Sequence, residues 1–483
     1  MSGTRRALAR ILICAFLGVF GAVALSGPAH AATDCETMTP TDINCDFLSD
    51  WAVGIPNASS GRGLVEWRLG NEADPGFGTV TAASLGFAAS AAGDRFGASV
   101  LITDVTGDNY ADLLIGAPGY QGAGAVYVAY GSSTGIRTGV GGRILPPAEA
   151  LTTAPRFGEA MGLLQDTTGQ AIVVGAPGWD GAKTDAGAVF WANLGEAGSL
   201  GVWSQFNQGA EAETGDAFGA PLAVRGTTVM VGTPLENIGS KTDAGQVTVI
   251  RMVHGANWSP GWSRYLNQDS PGAPGSTKAG DRFGAAIDLG PQSMFVVGIP
   301  YEDIGSDTNT GAVQRFTMSD TGTPTWLPRL HQDSAGVPGQ GEDGDHWGAA
   351  VATGYNWWDE KPMLFVGAPG ENIGSAADAG AVTYLTGSTT VTGRGLEQGD
   401  ELGGKAEKGD QVGARLAIFL DDGEEDSIDG VVIGAPGEAI GSVAGAGLVI
   451  VDEGLVSVNF EAYPALGGPI AGQRFGDVPG RSR

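Results

Sequence analysis

Two short marks recur along this chain at a period of about 63 residues, and that repetition limits the possible fold more than any other feature. One mark is an aromatic residue followed by glycine: Phe96-Gly97, Phe157-Gly158, Phe218-Gly219, Phe283-Gly284, Trp347-Gly348, the degenerate Val412-Gly413, and Phe475-Gly476. Five of these follow a Gly-Asp pair. The other is an apolar run ending in Gly-x-Pro, at Gly54, Gly116, Gly175, Gly232, Gly298, Gly367 and Gly434. After each comes a Gly-rich turn and a third apolar run, as in GAGAVYVAY and DAGQVTVIR. A fourth, weaker segment ends with an apolar residue two before Gln, at Phe206 and Gln208, Leu266 and Gln268, Leu330 and Gln332, and Leu396 and Gln398. Four short strands per repeat without helical periodicity fit a propeller blade better than a sandwich or a solenoid rung.

The order of the marks predicts how the repeats close. Gly54 has no aromatic-glycine mark before it, and Phe475-Gly476 has no Gly-x-Pro after it. One blade is therefore expected to be split between the two ends of the chain, which removes the open sheet edges that invite aggregation. The expectation is an all-β, seven-bladed β-propeller of four-stranded antiparallel blades over residues 51–483, its ring closed by N- and C-terminal pieces.

Composition agrees with a turn-rich globular chain: 82 of 483 residues are glycine, about 17% against a usual share of roughly 7%, while the apolar set makes 42%. Twenty-six Lys and Arg against 54 Asp and Glu give a net charge of -28, which repels phosphate backbones and argues against nucleic-acid partners. Residues 1–31 read as a signal peptide. Arg5, Arg6 and Arg10 precede an apolar run over 11–25, Ala29-His30-Ala31 supplies small residues for cleavage after Ala31, and the run is short of the ~20 residues a membrane span needs. The product is expected to be secreted, without a membrane anchor. Cys35 and Cys45 then remain, and in an oxidising compartment they are expected to form a disulfide pinning the N-terminal segment 32–50.

These repeats resemble FG-GAP repeats, the units of the seven-bladed propeller at the N-terminus of integrin alpha subunits and of many secreted bacterial proteins. The resemblance runs from Trp51 to about Val478 and is clearest from Phe96-Gly97 to Pro118 and in repeats carrying IGAPG or VGAPG. It weakens at Val412-Gly413 and at Gly232-Thr233-Pro234. It implies an extracellular ligand-binding or adhesion platform, although the same repeats also occur as accessory domains of a few enzymes.

The residues themselves point to one metal. Asp104, Thr106, Asp108 and Asp112 place side-chain oxygens at relative positions 1, 3, 5 and 9, and Tyr110 offers a backbone carbonyl at position 7. Calcium takes that many hard oxygens, and three carboxylates in one tight loop repel each other without a cation. The segment is similar to the calcium loop of FG-GAP repeats, which lies between the first and second strands. The plain alternative is an Asp-rich turn held by side-chain to backbone bonds. A degraded second candidate is Asp421, Glu425 and Asp429, set against a solvated acidic loop. A third acidic pattern, Glu236 with Asp243, Glu302-Asp303 with Asp307, and Glu371 with Asp378, reads as carboxylates capping backbone amides in long hairpins.

Catalytic signals are thin. Gly131-Ser132-Ser133-Thr134-Gly135 matches a G-x-S-x-G elbow but follows a strand with no helix after it, so it reads as a hairpin turn. His254, His331 and His346 are the histidines beyond the leader, and no spacing builds a triad from them. Trp203, Trp258, Trp262, Trp326, Trp357 and Trp358 are expected to cover seams between blades rather than to stack on sugars. The reading is a secreted, monomeric, calcium-binding propeller that acts as a non-catalytic binding or adhesion module for an extracellular protein or polysaccharide. The alternatives are a hydrolase or lyase with its site at the propeller channel mouth, and a structural spacer without a ligand.

Overall fold

The computed structural model describes residues 41–483 except 71–75, 196–197, 357–359, 401, 403, 420–429, 440–441, 443–444, 446, 453–459, 464–477 and 480–483. The architecture is an all-β propeller of four-stranded antiparallel blades. Six sheets are each drawn from four consecutive strands. The first of these comprises Ser99–Thr103, Asp112–Ala117, Ala125–Ala129 and Gly141–Ile144, paired in chain order. The innermost strands of the six, Ser99–Thr103, Met161–Gln165, Leu222–Arg225, Ala286–Leu289, Ala350–Asn356 and Arg415–Phe419, lie beside one another in succession. A further sheet is formed by Trp51–Ile55, Leu64–Arg68 and Phe77–Val80, with Val478–Pro479 pairing antiparallel to Trp51–Ile55. Phe475-Gly476 lies outside the described residues, as do Cys35, Ala31 and the leader. Among the described residues no helix is long and apolar enough to cross a membrane.

The two recurring marks turn out to be two halves of one contact. In each described repeat the first residue of the mark is fully buried at the seam with the preceding blade, and Phe96, Phe157, Phe218, Phe283 and Val412 form parallel bridges to Gly63, Gly124, Gly187, Gly245 and Gly380. The glycine after it then sits against the glycine of Gly-x-Pro in the preceding blade. A Cβ on Gly54 would lie 1.9 Å from the carbonyl oxygen of Gly97, and one on Gly116 would lie 2.0 Å from that of Gly158. The same approach recurs at Gly175, Gly232, Gly298 and Gly367. Backbone packs on backbone there, which only glycine permits. The apolar cores follow the same logic, because they lie between blades. Leu101, Leu114 and Val126 of one blade pack with Leu163, Ile172 and Phe190 of the next.

Candidate functional site

The loop from Asp104 to Asp112 joins the first and second strands of the 99–144 blade, and Asp104 organises it. Its carboxylate accepts hydrogen bonds from the amides of Thr106 at 3.0 Å, Gly107 at 2.7 Å and Asn109 at 2.9 Å. Asp108 accepts from the Tyr110 amide at 3.2 Å and pairs with Arg137 at 3.5 Å. Asp112 is fully buried and joins the loop to the end of the third strand, accepting from Val105 at 3.1 Å and Gly131 at 3.0 Å. Burial pushes the Asp112 carboxyl well above its usual range, and the charges of Asp104 and Asp108 add to the shift.

A second loop of the same design was not recognised in the sequence. Residues Asp42, Asn44, Asp46 and Asp50 repeat positions 1, 3, 5 and 9 just ahead of the strand Trp51–Ile55, with Leu48 at position 7. Five of the bonds to carboxylates match. Asp42 accepts from Cys45 at 2.5 Å and Phe47 at 2.8 Å, as Asp104 does from Gly107 and Asn109. Leu48 donates to Asp46 at 3.0 Å, as Tyr110 does to Asp108. Asp50 accepts from Ile43 at 2.7 Å and Gly70 at 2.9 Å, as Asp112 does from Val105 and Gly131. Positive φ falls at the same two positions, Cys45 and Phe47 here and Gly107 and Asn109 there. Burial again dominates, pushing Asp50 up to about 8, with the charges of Asp42 and Asp46 adding. The spacing carried the signal, but Cys45 and Phe47 replace the glycine and asparagine that make such a loop conspicuous. The two loops also touch, since the Ala111 amide donates to the Asp42 carbonyl at 2.9 Å.

The donor set of both loops suits a hard cation: carboxylates, a hydroxyl or carboxamide, and a backbone carbonyl. In the structure the carboxylates face the amides of their own loops, and among the described residues no three Asp, Glu, His or Cys side chains converge as a ready-made metal cage. Asp421, Glu425 and Asp429 lie outside the described residues.

The third acidic pattern departs from expectation. Glu236, Glu302 and Glu371 do not cap hairpin amides; each accepts from a glutamine at the end of the preceding blade. Gln208 donates to Glu236, Gln268 to Glu302 at 2.5 Å and Gln332 to Glu371 at 2.6 Å, and the series continues with Gln398 to Glu438 at 2.7 Å. Asp303 alone of the pattern caps an amide, that of Asn309, whereas the amides of Asp243 and Asp378 are held by Asn237 and Asn372. The buried aspartates of the Gly-Asp pairs stand behind these bonds. Burial, with the charge of Asp216 or Asp345 next in weight, pushes Glu236 up to about 8 and Glu371 up to about 7. Glu438 is pushed up to about 7 by burial, with Asp410 adding. The Glu302 junction is built differently: Lys278 and Arg329 reach its carboxylate at 3.0 and 3.1 Å. Lys278 stands three residues before Asp281, where the other junctions carry Glu213, Glu342 and Glu407.

Gly131–Gly135 is a hairpin turn, closed by Ser132 Oγ donating to the Gly135 carbonyl at 2.6 Å. His254 does gather partners, Thr168 Oγ1 at 2.8 Å and Asp166 at 3.3 Å, while stacking on Trp258 at 4.6 Å. Both partners meet the same nitrogen, Nδ1. A triad needs nucleophile and orienting acid on opposite nitrogens of its histidine, so this cluster holds a hairpin in place. Two of the tryptophans do cover seams: Trp203 packs edge-on to Phe157 at 5.5 Å, and Trp258 is buried, whereas Trp262 borders an open cavity. Trp357 and Trp358 lie outside the described residues.

Residues 96–129 match the FG-GAP repeat family. No curated protein matches the chain. Among solved structures it is similar to Sqt1 from Chaetomium thermophilum, at 11% identity over 90% of this chain and 88% of that one, with a TM-score of 0.47. It is also similar to a luciferin-regenerating enzyme, at 12% identity over 69% of this chain and 90% of that one, with a TM-score of 0.34. The matched stretch spans the Asp104–Asp112 loop and both marks of its blade, so the chain carries an FG-GAP repeat within a β-propeller of four-stranded blades.

Proposed function

We propose that the chain is a secreted, calcium-binding FG-GAP propeller that acts as a non-catalytic extracellular binding or adhesion module. The observation that carries this reading over the hydrolase alternative is the lining of the axial cavity, about 330 Å³ in volume. Leu101, Met161, Leu222, Val351 and Leu416 dominate it; among the described residues its one carboxylate, Asp288, accepts from both the amide and the hydroxyl of Thr353 in the next blade, and Glu159 in the adjoining axial cavity is paired with Arg95. Such a lining suits a rigid hub rather than acid-base chemistry.

Calcium would be held on Asp104, Thr106, Asp108 and Asp112 with the Tyr110 carbonyl, and in the twin loop on Asp42, Asn44, Asp46 and Asp50 with the Leu48 carbonyl. The ion would supply the positive charge that three neighbouring carboxylates lack, fixing loop geometry. The matched bond patterns of the two loops support this. A ring of seven blades, closed through Val478–Pro479, is part of the proposal, and the nearness of that strand to Arg415–Phe419 and to Ser99–Thr103 supports it.

The test is thermal melting of the secreted chain in calcium and in EDTA, with Asp108→Ala alongside. Calcium should raise the wild-type melting temperature, and Asp108→Ala should lose the share of that response that comes from its loop, leaving the share of the twin loop. An undiminished response in the variant would remove the metal from this loop. Binding to a panel of extracellular proteins and polysaccharides, without product formation, tests the module reading; turnover would favour the hydrolase.

A further inference from the structure

An otherwise acidic surface carries one row of a different character. In the blade of Leu222–Arg225, Thr228–Thr233, Gln246–His254 and Trp258–Leu266, register aligns Arg225 with Thr228, Thr228 with Arg251, and Arg251 with Trp262. Residues directly opposite across a ladder share one face of the sheet, so these four side chains form a line across the whole blade. All four line an open cavity of about 510 Å³, within the range of ligand sites. The neighbouring blade closes its far side with Gln292, Ser293 and one carboxylate, Asp320.

Charge makes the row unusual. The chain carries a net charge of -28, yet among the described residues no carboxylate comes within ion-pair distance of Arg225 or Arg251. Arg251 donates to Thr228 Oγ1 at 3.1 Å, which orients its guanidinium along the row. Both arginines are exposed. Trp262 is fixed by its indole nitrogen, which donates to the Asp320 carbonyl at 2.9 Å, and by the Arg264 guanidinium 5.4 Å from its ring centroid, so one ring side is taken and the ring is held as a wall. Arg137, by contrast, pairs with Asp108, and Arg315 lies in the core.

We propose that this cavity is a binding site for an anionic polysaccharide segment of the uronate class. The inference rests on the binding-module reading above and names its ligand chemistry. Arg225 and Arg251 lie two strand spacings apart, about 10 Å, the reach of a short oligosaccharide rather than of one monosaccharide. Guanidinium groups take carboxylates in paired hydrogen bonds, an indole face packs on a pyranose ring, and Thr228, Gln292 and Ser293 supply partners for ring hydroxyls. The surrounding negative field repels anions in general, so only a ligand whose charges meet these two groups gains from entering.

The experiment is calorimetric titration of the full secreted chain with oligogalacturonate, with a neutral malto-oligosaccharide of similar length, with a sulfated oligosaccharide, and with polyglutamate. Arg225→Gln, Arg251→Gln and their combination are compared with wild type, and unchanged melting temperatures show that the variants fold. Oligogalacturonate should bind, weaken with added salt, and lose about tenfold in affinity with each substitution, while the neutral sugar does not bind. Preference for the sulfated chain, with the same loss in the variants, would keep the anionic-sugar site and move its ligand from carboxylate to sulfate ester. Oligogalacturonate binding undiminished in the double variant, or binding of polyglutamate alone, overturns the site. If the double variant still binds another partner from the panel as wild type does, the cavity assignment falls and the module reading stands; if wild type binds nothing, both fall.

Discussion

Glu371→Gln separates a proton held between blades from an ordinary salt-bridge network. Glu371 accepts from Gln332 at 2.6 Å and faces Asp345, Glu342 and Glu397, with no cationic side chain among the groups acting on it. Its carboxyl is pushed up from 4.5 to about 7, chiefly by burial. An acid whose folded value is raised stabilises the fold fully below its unfolded value and loses that contribution as pH rises through the folded one. The window is therefore about pH 4.5 to 7. At ~1.4 kcal/mol per unit the ceiling is ~3 kcal/mol, and because Glu371 is only half-buried, water reduces this to about 1–2 kcal/mol. Glutamine keeps an oxygen for Gln332 and cannot ionise. In urea unfolding at pH 4.5 and pH 8.5 the variant should match wild type at the lower pH and exceed it by about 1–2 kcal/mol at the higher. Glu302→Gln is the contrast, because it strands Lys278 and Arg329 and should cost stability at both pH values. An identical pH dependence in wild type and Glu371→Gln refutes the reasoning.

Two further outcomes concern the seams and the ends. Gly116→Ala places a methyl 2.0 Å from the Gly158 carbonyl oxygen and 2.2 Å from Ser99 Oγ, so two blades must separate; a loss of about 1–3 kcal/mol is expected, and an unchanged melt would show that the seam is loose. Removing residues 472–483 takes away the strand Val478–Pro479 and with it the partner of Val53 and Gly54. The melting temperature should fall, and an unaltered melt would dismiss the closed ring.

The blades were legible because each strand announces itself by composition and each seam by glycine. Phe96 and Gly97 needed no structure to be recognised as a mark. Their meeting with Gly63 and Gly54 did, because a sequence records repetition and not which copy touches which. Asp104 to Asp112 was legible for its spacing, whereas Asp42 to Asp50 has the same spacing but lies outside the repeat pattern and carries Cys45 where the other loop has glycine. The inter-blade role of Glu236 and Glu371 was misjudged, since hairpin capping is a local habit of carboxylates and their true partners, Gln208 and Gln332, lie 28 and 39 residues away. The row of Arg225, Thr228, Arg251 and Trp262 had no signal at all until register aligned it.

The pairing of Trp51–Ile55 with Val478–Pro479 bears on how such a chain assembles. An ordinary seam, such as Gly54 on Gly97, joins residues 43 apart, whereas Val53 and Pro479 are separated by 426. Loop-closure entropy grows only with the logarithm of length, so joining the ends costs about 2 kcal/mol more than forming a neighbouring seam in an open chain. Even that surcharge fades once intervening blades have formed, because stacked blades carry one end toward the other. Assembly can thus run as a zipper of local steps, with the most distant contact made last and least opposed.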